Sequence, residues 1–422
     1  MTRLVIEGCA LATVDAAGTE HASGHLVIED GRITAVGPGP APWSSPTPEG
    51  PETRVDAGGC LATPGLINTH HHFSQWLTRG EAQEADLFGW LRHLYPRWGH
   101  IDADMQRAGA LGSLVALVSS GCTTTTDHQY IFPAGAGDLM AAEVEAAGAV
   151  GVRFHPTRGS MDLGQSQGGL PPDALVEDTD AALAATEEAI DRWHDPDPAA
   201  MVQVGVAPCS PFSVSRRLMT EAADLARRRG VRLHTHLAET VEEERFCAER
   251  FGCTPVEYAE SLGWLGDDVW LAHGVHLDEA ARRRLAVTGT GVAHCPSSNA
   301  RLGSGIAPVA ELLAASVPVG LGVDGTASNE SGQLGPEVRM AALVARARGG
   351  PGALTARQAL WLATAGGARC LGRQDHLGSL EVGKLADVAL WRMDTAAHAG
   401  MADPVAALVL GSLPPLELLL VG

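Results

Sequence analysis

Two textures of apolar and polar positions alternate along this chain. Residues 3–7 and 25–28 are short apolar runs, and Glu29-Asp30-Gly31-Arg32 has the chemistry of a hairpin turn. Ile33-Thr34-Ala35-Val36-Gly37 reads as the return strand, and the Pro-, Gly- and Ser-rich stretch 38–52 reads as a loop. From Pro64 the texture changes: apolar strand-like runs alternate with Ala-, Leu- and Arg-rich helical stretches. The strand candidates are Leu66–Asn68, Thr123–Asp127, Gly151–His155, Val202–Ala207, Arg232–Leu237, Val269–His273, Gly291–His294 and Val319–Asp324. Helices are predicted between them over 103–120, 138–147, 178–194, 215–229, 241–251, 278–286 and 309–315, with two more over 336–348 and 356–371. Eight strand–helix units predict an α/β fold, a (β/α)8 TIM barrel, over residues 63–375. After Leu371 the β texture returns, with turn chemistry over 378–384 and strands over 386–391 and 416–421. Residues 1–62 and 376–422 are therefore expected to form one small β-sandwich domain from both chain ends.

Composition narrows the functional classes. The 422 residues carry 50 acidic against 30 basic side chains, for a formal net charge of -20. Such a surface repels phosphate at long range, which argues against a nucleic-acid polymer as partner. No segment approaches the roughly 20 apolar residues of a membrane helix, and MTRLVIEG lacks the apolar core of a secretory signal. The eight cysteines are scattered without a CxxC pair, so a reducing, cytoplasmic setting is expected. Lys384 is the one lysine in the chain, which leaves almost no candidate for a Schiff-base or P-loop lysine.

The chemistry sits at predicted strand ends, the face on which barrel active sites lie. His70 and His72, at i and i+2 after the first strand, share a side, and His71 faces away. Their imidazoles suit Zn2+ or Fe2+, and a merely polar turn is the alternative. His234 and His236 share a face of the fifth strand. His236 lies nearer the catalytic end, while His234 reads as a buried barrel-layer residue. Glu239, just beyond, is placed to carry a proton, or else to favour a helix N-terminus. His273 ends the sixth strand as a further axial candidate, or as a structural histidine. Asp324 ends the eighth strand between glycines and suits a metal ligand and proton acceptor, though an aspartate there can also cap a turn. The constellation points to one divalent ion on His70, His72, His236 and Asp324, with an open position for water.

These residues carry a resemblance. PGLINTHHH (64–72), HTHLAET (234–240), LAHG (271–274) and GLGVDG (320–325) resemble the amidohydrolase superfamily. More narrowly they resemble its mononuclear aminohydrolases of purine, pyrimidine and triazine rings. HHHF (70–73), TRGSMDLGQSQGGLPPD (157–173), APCSPFSV (207–214), HLAETVEEERFC (236–247) and HCPSSNARLGSGI (294–306) are similar to the 8-oxoguanine deaminases among them. The resemblance implies one divalent metal ion per chain, Zn2+ with Fe2+ as the other candidate, and Glu239, His273 and Asp324 as catalytic residues. It implies hydrolysis of 8-oxoguanine to uric acid and ammonia, with water activated by the metal adding to the amine-bearing carbon. Binuclear relatives bridge two metals with a lysine on the fourth strand, and that strand has none here. The resemblance also implies homo-oligomers, and a further β segment and helix beyond Leu418–Gly422, where this sequence stops.

On the substrate side, Gln75 and the aromatics Phe73, Trp76, Trp90, Tyr95 and Trp98 follow the first strand and can stack on a planar base. Arg158 can pair with ring carbonyls, or else salt-bridge, and His294 can hydrogen-bond the ring. His128 and Gln129 receive no role from the pattern. The competing activities are a hydroxytriazine aminohydrolase and a guanine or isocytosine deaminase. From another class, a catalytically inactive scaffold predicts the loss of a ligand.

Overall fold

The computed structural model describes residues 3–42 and 52–422, so most of the loop expected over 38–52 lies outside the described residues. Eight parallel strands close a barrel: Leu66–Asn68, Cys122–Gln129, Arg153–Ser160, Gly205–Pro208, Leu233–Leu237, Val269–His273, Gly291–His294 and Val319–Leu321. Leu321 pairs with Asn68 to shut it. The Asn68 amide reinforces that seam, donating to Thr125 Oγ1 at 3.0 Å and accepting from Val323 N at 2.9 Å. Beyond the seam, Asp324–Gly325 pairs in parallel with His71–His72. The first and last strand ends are thereby locked side by side.

The outer helices begin where the sequence supplies caps. Asp138, Asp178, Ser215 and Asp278, the first residues of four predicted helices, are N-caps that accept from backbone N–H groups. The segment after the first strand departs from the pattern, which predicts no helix before residue 103. It forms a 3-10 turn, Phe73–Thr78, and an α-helix, Leu87–Trp98, that carries Pro96 inside it. Burial of Leu87, Trp90, Leu91, Leu94, Tyr95 and Trp98 along one face outweighs the lost hydrogen bond. The helix expected over 356–371 is broken by a π turn at Leu362–Gly366, where Gly366 and Gly367 press against the barrel wall.

Both chain ends meet in a seven-stranded mixed sheet. Its central strand, Arg3–Ala12, pairs with Glu20–Glu29 on one edge. The other edge is shared by Glu52–Asp56 and Cys60–Pro64. Val388–Arg392 and Leu416–Leu420 extend it. Ile6, Leu11, Leu26, Ile33, Val388 and Leu390 form its own core. The sheet is tied to the barrel by Gly65 N, which donates to Asp387 O, and by Trp391 Nε1, which donates to Thr63 Oγ1 at 2.9 Å. Among the described residues, no helix is long and apolar enough to cross a membrane.

Gly121 shows how tight that junction is. Its φ is +88°, and an added Cβ would collide with the Trp391 ring. Gly230 has a similar φ of +66° with nothing within 4 Å. Gly121→Ala is therefore expected to destabilise by about 3 kcal/mol, strain plus overpacking, and Gly230→Ala by about 1 kcal/mol. Equal midpoint shifts in urea unfolding would contradict this reading of the junction.

Candidate metal centre and catalytic cavity

Strand ends one, five, six and eight deliver their polar side chains to one buried point. His70 Nε2 and His72 Nε2 each lie 3.3 Å from Asp324 Oδ1. His72 Nε2 lies 3.1 Å from His236 Nε2. His70, His273 and Asp324 form a second close grouping, and His128 joins the first. His71 points away, its Nδ1 accepting from His72 N.

Backbone carbonyls fix which nitrogen of each ring carries hydrogen. His72 Nδ1 donates to His128 O and His236 Nδ1 donates to Cys209 O, both at 2.7 Å. His234 Nδ1 donates to Trp270 O at 2.8 Å, so its Nε2 accepts from His70 Nδ1, also at 2.8 Å. Burial drives all four imidazoles below their usual pKa, His234 to about 3, so they are neutral at pH 7. Each of His70, His72 and His236 must then aim an Nε2 lone pair inward. Two such lone pairs face each other at 3.1 Å, and His70 Nε2 has no hydrogen-bond partner. A cation would satisfy that arrangement, and three imidazoles with a carboxylate are a fitting donor set for Zn2+ or Fe2+.

The carboxylates are as closely held. Burial alone would raise the Asp324 carboxyl, but the His70, His273 and His72 imidazoles hold it well below its ordinary value. Its Oδ2 accepts from Ser298 Oγ at 2.6 Å and Ser328 Oγ at 3.3 Å, which leaves Oδ1 for the cluster. Burial pushes Glu239 up to about 7, against the opposing pull of His273. Glu239 Oε2 lies 3.6 Å from His273 Nε2, and His273 Nδ1 donates to Asn299 Oδ1. Glu243 holds the turn, accepting from Ala238 N at 2.8 Å and Glu239 N at 2.9 Å. Ala238, His273 and Asp324 adopt φ of 54°, 75° and 61°, left-handed backbone where the fifth, sixth and eighth strands end. Each such residue costs about 1–3 kcal/mol and persists only where its surroundings over-determine it.

Above the cluster lies a cavity lined by Gln75, Trp90, Tyr95, Tyr130, Ser210, Phe212, Glu239, His273 and Asp324 among others. Gln75 Oε1 and the Tyr95 hydroxyl are buried there without partners. Trp90 is fixed by its Nε1 bond to Ala327 O. Arg158 and His294, singled out from the sequence, do not line this cavity. Arg158 is ion-paired to Glu177 at 2.6 Å and stacks on Phe132. His294 is fully buried with neither ring nitrogen partnered. Phe73, Trp76 and Trp98 also lie outside the lining. Sequence reasoning missed Ser328 and Glu243, left His128 without a role, and set Ser298, which follows His294, toward the ring rather than on Asp324. The Thr240–Glu243 spacing, with Thr240 as N-cap, was the one available signal for Glu243.

The fold and this constellation define a metal-binding barrel hydrolase. Residues 61–412 match the Amidohydrolase family, and the chain belongs to it. It is 45% identical over 404 residues to the 8-oxoguanine deaminase of Pseudomonas aeruginosa, covering 95% of this chain and 89% of that one. It is 41% identical over 389 residues to the hydroxydechloroatrazine ethylaminohydrolase of a Pseudomonas species, covering 89% and 80%. Among solved structures, the zinc complex of the atrazine chlorohydrolase from Arthrobacter aurescens superposes with a TM-score of 0.93. That pair is 34% identical, with 99% of this chain and 94% of that one covered.

If His234 sets the His70 tautomer, His234→Ala should weaken metal affinity about 10- to 100-fold without unfolding the chain. Competition against a chelating dye measures this. Unchanged affinity would show that the relay is dispensable.

Proposed function

We propose that this chain is a metal-dependent hydrolytic deaminase of a free nucleobase-like ring, with 8-oxoguanine as its substrate and uric acid and ammonia as products. The observation that carries the reading is the pairing of two features in one cavity. Three inward imidazole lone pairs stand beside Asp324, and Glu239, with a pKa near 7, stands over them. His70, His72, His236 and Asp324 would hold one divalent cation, most simply Zn2+, which would supply Lewis acidity that lowers the pKa of water toward about 7. The relatives' names support the ring deaminase, and the lining supports a free base. Among the described residues that line the cavity, none is Arg or Lys, so nothing there waits for a phosphate.

In this reading the ring stacks between Trp90 and the other aromatic walls, and Gln75 and Tyr95 pair with its N–H and C=O edge. Glu239 in its protonated form gives a hydrogen to the ring nitrogen beside the amine-bearing carbon. Asp324 and His273 take up the proton that water loses as its oxygen bonds to that carbon. Glu239, now a carboxylate, takes the hydroxyl proton of the adduct and passes it to the amine, so that the carbon–nitrogen bond breaks as the carbonyl forms and ammonia leaves, and the proton held by Asp324 and His273 returns to Glu239. The eight free cysteines support a cytoplasmic setting for this enzyme. A second reading, a hydroxytriazine aminohydrolase, is favoured by the 41% identity to the ethylaminohydrolase.

Ammonia release from 8-oxoguanine, isocytosine, guanine and hydroxytriazines separates these. Turnover of 8-oxoguanine is expected, and an inert 8-oxoguanine beside an active triazine would overturn the assignment. Purified protein is expected to hold about one tightly bound divalent metal per chain, as no lysine or glutamate on Gly205–Pro208 can bridge a second. Two equivalents by elemental analysis would contradict the single-metal reading. Glu239→Gln should lower kcat about 100- to 10,000-fold. Because Glu239 acts as an acid, the wild-type rate should fall as pH rises through its pKa, at or below about 7 once a cation is bound. A flat profile across that range would remove Glu239 from the proton path.

A further inference from the structure

At the opposite end of the barrel from the metal cluster, three guanidinium groups are gathered around one ion-paired carboxylate, Asp387. Arg153 begins the third strand and is fully buried. Its Nη1 donates to Ala199 O at 2.7 Å and Ala200 O at 3.0 Å, and its Nη2 donates to Asp387 Oδ1 at 3.2 Å and Gly422 O at 2.7 Å. Arg373, only 3% exposed, donates from Nη2 to Pro198 O at 2.7 Å and to the same Ala200 O at 2.9 Å. Two buried cations thus share one carbonyl oxygen. Arg232 donates to Asp267 O and Cys370 O from the other side. Among the described residues, Arg153–Asp387 is the one ion pair any of the three makes.

The unused hydrogens point to what is wanted there. Arg373 keeps Nε and Nη1 without partners, and Arg153 Nε and Arg232 Nε are likewise buried and unpartnered. His155, two residues along the same strand face as Arg153, has neither ring nitrogen bonded. After burial, the Arg373 and Arg232 charges are what press the His155 pKa furthest below its usual value, which sets His155 in their field. Burial and the neighbouring Arg153 bring Arg373 down only to about 10, so it stays charged at neutral pH. Asp387 and Asp197 act on Arg373 through space, but a buried guanidinium with two idle N–H donors and no carboxylate bonded to it is costly, and a negative ligand lowers that cost.

We propose that the barrel floor binds a small inorganic anion of the halide class, held by Arg373 Nε and Nη1 and flanked by His155, Arg153 and Arg232. Close packing limits its size. A Cβ on Gly372 would already stand 2.6 Å from Arg232 Nη1. The site is separate from the catalytic cavity, and it stands or falls independently of the proposed substrate.

Melting of the metal-loaded enzyme in sodium bromide against sodium gluconate, at equal ionic strength, tests this. A saturable rise of about 3 °C with bromide is expected, and Arg373→Gln should abolish it. Equal melting in the two salts, or the same bromide effect in the variant, would overturn the proposal. Should R373Q fail to fold, crystals of the wild-type enzyme in bromide decide the matter. An anomalous peak beside Arg373 Nε supports the site. Ordered water there, with bromide at surface positions as an adventitious ion only, overturns it.

Discussion

Three buried imidazoles, each with its lone pair turned inward, are the constraint on which the rest of this structure depends. No hydrogen is available to settle the 3.1 Å approach of His72 Nε2 and His236 Nε2, because both rings have already given theirs to main-chain carbonyls. Those carbonyls belong to His128 and Cys209, at the ends of the second and fourth strands, and Trp270 on the sixth acts through His234. The barrel is therefore more than a scaffold that brings histidines together. Its strand register decides the tautomer of each, and so decides that the centre presents lone pairs fit for a cation rather than a network of internal hydrogen bonds.

The acidic side of the site follows the same logic. Left-handed backbone at Ala238, His273 and Asp324 aims side chains across the barrel mouth. That strain is offset by contacts made for the purpose: Glu243 beneath the Ala238–Glu239 turn, and Ser298 with Ser328 on Asp324 Oδ2. Glu337 belongs to the same support. It accepts from Asn329 Nδ2 at 3.0 Å, and Asn329 in turn binds Val323 O. Removal of such a carboxylate would release the strand end rather than alter the cavity lining.

Much of this was legible in the sequence because periodicity and spacing report on local geometry. The eight barrel strands all appear where apolar runs marked them, and His70 and His72 share a side because the strand period is two. The helix Leu87–Trp98 was not legible, since Pro96 and the short polar lead-in disguise a segment held by its aromatic face. Arg158 shows a second limit. A guanidinium beside a strand end has the right chemistry for a ring carbonyl, yet Glu177, 19 residues on, claims it. The supporting layer was hidden for the same reason. Ser298, Ser328 and the carbonyls of His128 and Cys209 act through long-range contacts, which no local pattern encodes.

X-ray absorption at the zinc edge of the zinc-loaded protein tests the central claim most directly. The account expects one equivalent per chain in a shell of nitrogen and oxygen at about 2.0–2.2 Å, with the multiple scattering of about three imidazoles. A sulfur shell at about 2.3 Å, drawn from Cys209 beside His236, or a failure to bind one equivalent, would contradict it.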